Sequence, residues 1–467
     1  MTSIDTLPDD VLLEIFNSHG YHERYNDAVG DQREKAWQTL VHVCRRWRHI
    51  VFGFPRHLNL QLVCTTTTQA RDMLDVWPAL PIIVSYSDHP TRNVDNIFAA
   101  LECRDRVCQI FSSILRRLEW DIYWAIQQPF PELRYMTLVS ANERMGVLPD
   151  SFLGGSAPRL EYLFLLGVPF PGLPKLLLSA THLVTLRLSN IPHSGYISPD
   201  AMVVALSTLT SLDALAIKFE SPRSCPDLES RRPPPSTRSV LPVLTYFEFQ
   251  GVSEYLDDLV ACIDAPQLNK LHIMFFDAIV FDTPQLVRFI SHTPKSNAFQ
   301  KAYITLENCV SVGFSSQTSR YGEFTVTILC KGLDWQVSSL GHVCTSCLPP
   351  LSVLEELYFY MDFNPDWTGR IDNRQWLELF RSFTAVKNLY VSEKLASHIV
   401  PALQELVEGR TTDVLPALQN IFLKGFDSSG SVQDSIRQLV ATRQAINHPI
   451  GIFPWTDSEE DEDWGDW

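Results

Sequence analysis

The sequence predicts an α/β chain: a short all-α N-terminal segment, then an irregular solenoid of strand–helix repeats on a curved parallel sheet. Two observations predict it. Two apolar stripes at helical spacing occupy the first 51 residues, and from residue 130 onward one short apolar pattern recurs ten times. The length agrees, because 467 residues exceed one ordinary compact core and call for a repeat array or several domains.

The first helix is announced by Leu7-Pro8-Asp9-Asp10. Proline suits the first helical position, where its missing N–H is not needed, and the two aspartates face the positive end of the helix dipole. Val11, Leu12, Ile15 and Phe16 then form one stripe. A polar connector follows, and Asp31 with Glu34 resembles a capping box for a second helix. That helix is expected to run through Trp37, Leu40, Val41, Cys44, Trp47, Arg48 and Val51. Two helices of this size need a following domain or a partner to cover their stripes.

The repeat reads apolar, two variable, apolar, one variable, apolar. It appears at Leu133-x-x-Met136-x-Leu138, Leu160-x-x-Leu163-x-Leu165, Leu183-x-x-Leu186-x-Leu188, Leu212-x-x-Leu215-x-Ile217 and Leu244-x-x-Phe247-x-Phe249. It continues at Leu268-x-x-Leu271-x-Ile273, weakly at Phe299-x-x-Ala302-x-Ile304, then at Leu354-x-x-Leu357-x-Phe359, Val386-x-x-Leu389-x-Val391 and Leu418-x-x-Ile421-x-Leu423. The early spacings fall in the leucine-rich-repeat period of about 20–29 residues, one strand and one helix or 3₁₀ turn per unit. The gap from Phe299 to Leu354 leaves room for one irregular repeat, with Phe324–Leu329 as its strand. Helical windows are expected at Ala201–Leu209, Trp376–Phe383 and Leu395–Val407.

With these residues laid out, Leu7-Pro8-x-x-Val11-Leu12-x-x-Ile15-Phe16 and Leu40-x-x-Val43-Cys44-Arg45-Arg46-Trp47-Arg48 resemble the F-box. Trp376–Phe380, Phe383–Leu389, Val414–Asn420, Ala441–Arg443, His448-Pro449 and Leu74–Pro78 resemble a fungal family that joins an F-box to degenerate leucine-rich repeats. The connector His19–Ala36 is longer than that family usually has. The resemblance implies that Leu7, Pro8, Val11, Leu12, Ile15, Phe16, Val43, Cys44 and Trp47 dock on a Skp-type adaptor, and through it on a cullin. It implies a non-catalytic substrate receptor of a ubiquitin ligase, acting in the cytoplasm or nucleus. An interaction scaffold outside any ligase uses the same hook and is the alternative.

The expected organisation is an F-box over residues 1–55, a linker and solenoid cap over 56–130, leucine-rich-repeat-like units over 131–453, and an acidic, disordered tail over 454–467. In each strand the apolar positions face the core and their neighbours face the opposite surface. That neighbour set is rich in aromatic residues, which dominate binding hot spots. Tyr162, Phe164, Tyr246, Tyr303, Tyr358 and Tyr390 are the expected target-binding residues. The competing reading has both sheet faces covered and these rings in the core.

The net charge of −16 argues against nucleic acid and anionic membranes as partners. Leu160–Ala180, the longest apolar stretch, holds Glu161, three prolines and Lys175, which do not suit a lipid-spanning helix. Ten irregularly spaced cysteines read as reduced thiols. Cys344-x-x-Cys347, near His342 and Cys330, lacks the paired ligand spacing of a zinc site and reads as buried thiols on a helix. His19 and His22 read as solvated. No phosphate loop, HExxH or GxSxG motif occurs, so no cofactor, metal or catalytic residue is expected. Ser221–Val240, with its prolines and arginines, reads as a flexible insertion or a basic docking loop. The tail, with Trp455, Trp464 and Trp467 among its acids, is otherwise a partner-binding peptide or a strand covering basic loops of its own chain.

Overall fold

The computed structural model describes residues 4, 7–19, 37–68, 70–86, 94–114, 125–140, 146–225, 238–276, 283–293, 299–316, 323–330, 332–346, 348, 351–361, 372–409, 414–424, 431–445 and 448–455. Most of the connector 19–36, the capping box Asp31/Glu34, His22, Cys347, residues 226–237 of the insertion and the tail 456–467 lie outside them. The chain divides into two compact units, Met1–Ile197 and Ser198–Trp467.

The first unit begins with α1 (Asp9–His19), preceded by Pro8 and carrying Asp9 and Asp10 in its first turn. The expected second helix is not continuous. Residues 37–43 are helical, and Cys44 then turns extended (φ −157°, ψ 172°) and caps α2 (Arg45–Gly53), its Sγ accepting from the Trp47 N–H at 3.4 Å. The break is fixed from both sides. Arg46 donates to the Leu7 carbonyl at 2.5 Å and to Asp9 Oδ1, and Arg48 Nε donates to the Val41 carbonyl at 3.0 Å. Trp37, Phe52 and Trp77 pack edge-on, with centroids 5.3 to 6.2 Å apart, and fasten these helices to the chain that follows.

Six parallel strands pair in chain order in this unit: β1 (Leu62–Cys64), β2 (Ile82–Tyr86), β3 (Val107–Ile114), β4 (Tyr135–Ser140), β5 (Tyr162–Leu166) and β6 (Thr185–Ile191). The segment expected to hold linker and cap therefore already carries three strands of the sheet. β1 escaped the repeat pattern because its burial is continuous over Leu62–Cys64 and does not alternate. Helices Ala70–Val76, Val94–Glu102 and Leu173–Leu177 make crossovers.

The second unit holds a sheet ordered β7, β9, β11, β14, β13, β12, β15, β16, β17, β18. These are β7 (Ala214–Phe219), β9 (Tyr246–Gly251), β11 (Lys270–Phe276), β12 (Lys301–Leu306), β13 (Val310–Ser315), β14 (Phe324–Leu329), β15 (Glu356–Met361), β16 (Asn388–Val391), β17 (Asn420–Lys424) and β18 (Gly451–Trp455). A separate parallel pair joins β8 (Ser239–Val240) to β10 (Ile263–Asp264). The helical windows form as Pro199–Leu206, Asn373–Phe380 and Glu393–Gly409.

The irregular repeat is a different object from the one expected. β12, β13 and β14 are an antiparallel meander, so β14 lies beside β11 while β12, carrying the weak Phe299 repeat, pairs with β15. Elsewhere the main sheet of this unit is parallel. The last strand also runs further than expected: Pro454 and Trp455, assigned to the tail, pair with Leu423 and Lys424.

Every apolar residue of the ten repeats is buried. The helices cover that face; Trp376 and Phe380, for example, close on Phe359 at 6.0 and 5.7 Å. Burying one such side chain is worth about 1.5–3 kcal/mol, which is why the pattern survives where spacing does not. No helix among the described residues is long and apolar enough to cross a membrane.

Candidate interaction surfaces

The N-terminal hook sorts its apolar side chains into two sets. Leu12 and Phe16 point inward at 0% and 3% exposure, with Phe16 against Trp47 at 4.8 Å between centroids. Val11, Ile15 and Val43 point outward at 39%, 43% and 56% exposure. Leu7, Cys44 and Trp47 are half-buried and Pro8 is exposed. The nine expected docking residues thus do not form one face. Leu12 and Phe16 hold the hook together and touch a partner only if it opens, whereas Val11, Ile15 and Val43 are presented. Sequence reasoning missed Ile4 and Phe54, which are also exposed, because neither falls on the helical stripes.

The strand surface opposite the core holds the other expected residues. Tyr303 lies beside Tyr358, Tyr358 beside Tyr390, Tyr390 beside Phe422 and Phe422 beside Phe453, each in direct register on neighbouring parallel strands. Their rings stack at 4.8, 4.1, 4.4 and 5.4 Å between centroids. Trp455 leans back across the same surface, edge-on to Tyr360 at 5.3 Å and Tyr390 at 5.6 Å, and is 7% exposed. The row is half-buried up to Phe422, and Phe453 at its end is 45% exposed. Phe453 and Trp455 were missed as part of this surface because the last strand was not recognised as one; the short apolar run Ile450-Gly-Ile-Phe-Pro-Trp455 is the signal that could have found them.

A polar edge runs beside the rings. Tyr358 donates from its hydroxyl to Glu356 Oε2 at 2.8 Å, Lys301 pairs with the same oxygen at 3.3 Å, and Asn420 donates to Asn388 Oδ1 at 2.9 Å. Burial, then the hydrogen bond and charge of Glu356, pushes the Tyr358 phenol far above the usual tyrosine range, and burial with the charge of Glu356 pushes Tyr390 up as well. At Lys301 burial works against the charge, but the charge and hydrogen bond of Glu356 together with Tyr303 and Tyr390 outweigh it, and the pKa is raised. These phenols stay protonated near neutrality, so they present hydrogen bonds and area, not acid–base chemistry.

The remaining expected residues sit apart from this row. Tyr246 donates to Glu248 at 3.0 Å and packs on His272 at 5.6 Å, and burial lowers the His272 pKa. Tyr162 and Phe164 belong to the first unit, where Tyr162 meets Tyr135 at 6.3 Å. Among the described residues no three histidine, cysteine or acidic side chains converge as metal ligands. Cys344 is buried on the helix Leu333–Ser346, while His342 on that helix is exposed.

No protein-family model matches the chain, and no curated protein matches it. Among solved structures it is similar to the crystal structure of the leucine-rich repeat-containing protein LegL7 from Legionella pneumophila, at 13% identity and a TM-score of 0.28, covering 81% of this chain and 97% of that one. So loose a superposition carries no functional meaning. Each of the two units is a mixed α/β body built on a mostly parallel sheet.

Proposed function

We propose that this chain is a non-catalytic substrate receptor of a Skp–cullin–F-box ubiquitin ligase, working in the cytoplasm or nucleus. The hook holds a Skp-type adaptor and the strand face holds a target protein. The observation that carries this reading is the sorting of the hook: Leu12 and Phe16 lock it from within while Val11, Ile15 and Val43 are displayed to water. Covering three half-exposed aliphatic side chains supplies roughly 1 kcal/mol each to a docked interface. The resemblance of Leu7–Phe16 and Leu40–Arg48 to the F-box names the partner that such a surface fits.

The test is capture of a purified Skp-type adaptor by the full chain. Ile15→Asp with Val43→Asp is expected to abolish capture with no change in the melting temperature, since both positions are exposed. Capture that survives this pair sinks the F-box reading. The aromatic row also fits a second role, an interaction scaffold outside any ligase, because it needs no hook. Co-purification of a cullin with the adaptor-bound chain separates the two: its absence favours the scaffold.

A further inference from the structure

In the first unit the strand face opposite the core dips at one residue. Along β4 the side chains alternate, so Met136 and Leu138 enter the core while Tyr135, Thr137 and Val139 stand on the other surface. In register with Thr137 are Phe111 on β3 and Phe164 on β5. The short threonine therefore has a larger side chain on every side, Tyr135 and Val139 along its own strand and the two phenylalanines across the sheet. Phe111 and Phe164 are two strand steps apart, about 10 Å between backbones, which leaves a pit one side chain wide over Thr137. Its rim faces water, with Phe111 36% and Tyr135 37% exposed.

The strands of this unit carry one charged residue, Arg187 on β6, in register with Phe164. It is exposed, and no carboxylate among the described residues pairs with it. Glu161, the acid nearest in sequence to β5, is engaged by Arg134 at 3.5 Å. A guanidinium set in an otherwise uncharged, largely apolar face is a fork for a carboxylate brought from outside. Arg187 lies two strand steps from Thr137, about 10 Å, which an extended chain covers in about three residues.

We propose that this face binds a segment of the target protein that inserts one large apolar side chain, aromatic for preference, over Thr137 and sets a carboxylate about two to four residues away on Arg187. An inserted ring meets Phe111 and Phe164 in the tilted or edge-on arrangements that aromatic pairs favour. The carboxylate receives paired N–H donors beside an apolar surface, where such bonds are strong. The proposal rests on the reading of the strand face as a receptor surface and not on the hook. It places recognition in the first unit and not on the stacked row of the second.

The test is selection of a random peptide library, displayed on phage, against the full chain. Selected peptides are expected to share an aromatic or large aliphatic residue with an aspartate or glutamate about two to four positions away. Arg187→Glu is expected to weaken a labelled synthetic copy of such a peptide at least about 10-fold and, in a repeat selection, to replace its acid by lysine or arginine. Thr137→Phe fills the pit with a residue at home in strands and is expected to weaken binding at least about 10-fold with no loss in melting temperature. An unchanged acid preference in the Arg187→Glu selection overturns the proposal whether or not Thr137→Phe folds, as does binding blind to Thr137→Phe in a chain that melts normally. Peptides that ignore both changes but are lost with Tyr390→Ser overturn this placement while the strand face stays a receptor. Selection of no peptide sinks the receptor reading and this proposal with it, and adaptor capture by the same chain reports on the hook separately.

Discussion

The hook and the aromatic row both turn apolar side chains toward water, but only the row covers its own. Val11, Ile15 and Val43 stand 39% to 56% exposed on the short N-terminal helices. In the row, each ring lies on the next at 4.1 to 5.4 Å, so stacking shields ring faces that a partner would otherwise have to bury. An apolar surface that shields itself gains little from being covered; one that does not gains more. The two regions should therefore fail differently, and the contrast can be broken by substitution.

The largest effect is expected inside the hook. Leu12→Ala removes a fully buried side chain from α1 and should cost about 2–5 kcal/mol. Val11→Ala and Ile15→Ala, one turn of the same helix, should stay within about 0.5 kcal/mol because both are exposed. Hydrogen exchange over residues 7–53 separates them. Equal protection loss in all three would erase the distinction between inner and outer sets.

Within the row, position should set the cost. Tyr358 stacks on Tyr303 and Tyr390 and donates to Glu356, so Tyr358→Ala should cost about 2–4 kcal/mol. Phe453 ends the row with one stacking neighbour and should cost about 1 kcal/mol on truncation. Chemical denaturation of the two variants compares them; an equal cost would mean that stacking contributes little and packing on the backbone contributes most.

How much of this was legible in the sequence follows from which physical signal each feature leaves. The leucine, isoleucine and phenylalanine positions of the repeats were all readable, because a side chain that must be buried cannot be replaced by a polar one. The register that puts Tyr303, Tyr358 and Tyr390 on one surface followed from the two-residue period of a strand. Strand order was not readable. Phe324–Leu329 alternates as a strand should, but alternation does not say whether the neighbour is β11 or β12, and a three-strand meander took the place expected for a repeat. The break at Cys44 was hidden because Trp37, Val41 and Val51 keep helical spacing across it, and cysteine is not among the preferred capping residues.

Alkaline pH separates the regions next. The folded Tyr358 phenol titrates well above the unfolded value of about 10, so the folded state binds more protons once the unfolded phenol ionises. Its contribution is complete below pH about 10 and is lost as pH rises beyond it. Lys301, also raised, loses its contribution in the same direction. The second unit should weaken between pH 9 and pH 11, followed by denaturant melts, and Tyr358→Phe should flatten the slope. A hook that weakens in parallel would show that a global charge effect, and not the row, is responsible.

The smallest expected effect tests whether the polar edge of the row differs from ordinary surface. Glu355 and Glu356 are adjacent in the chain; Glu356 pairs with Lys301 on β12, and Glu355 with Lys387, the residue before β16. Glu355–Lys387 spans 2.7 Å at 49% and 44% exposure, whereas Glu356–Lys301 spans 3.3 Å at 26% and 27%. Solvent screens the first pair, so Lys387→Ala should change stability by no more than about 0.5 kcal/mol despite its shorter distance. Lys301→Ala should cost more, because Glu356 would then keep its charge in a half-buried site without its paired ammonium. Measured by denaturant melts at low salt, the ranking Lys301 above Lys387 places burial ahead of distance as the property that matters along this edge. The reverse ranking would make the edge ordinary surface and leave the stacked rings alone to hold the row.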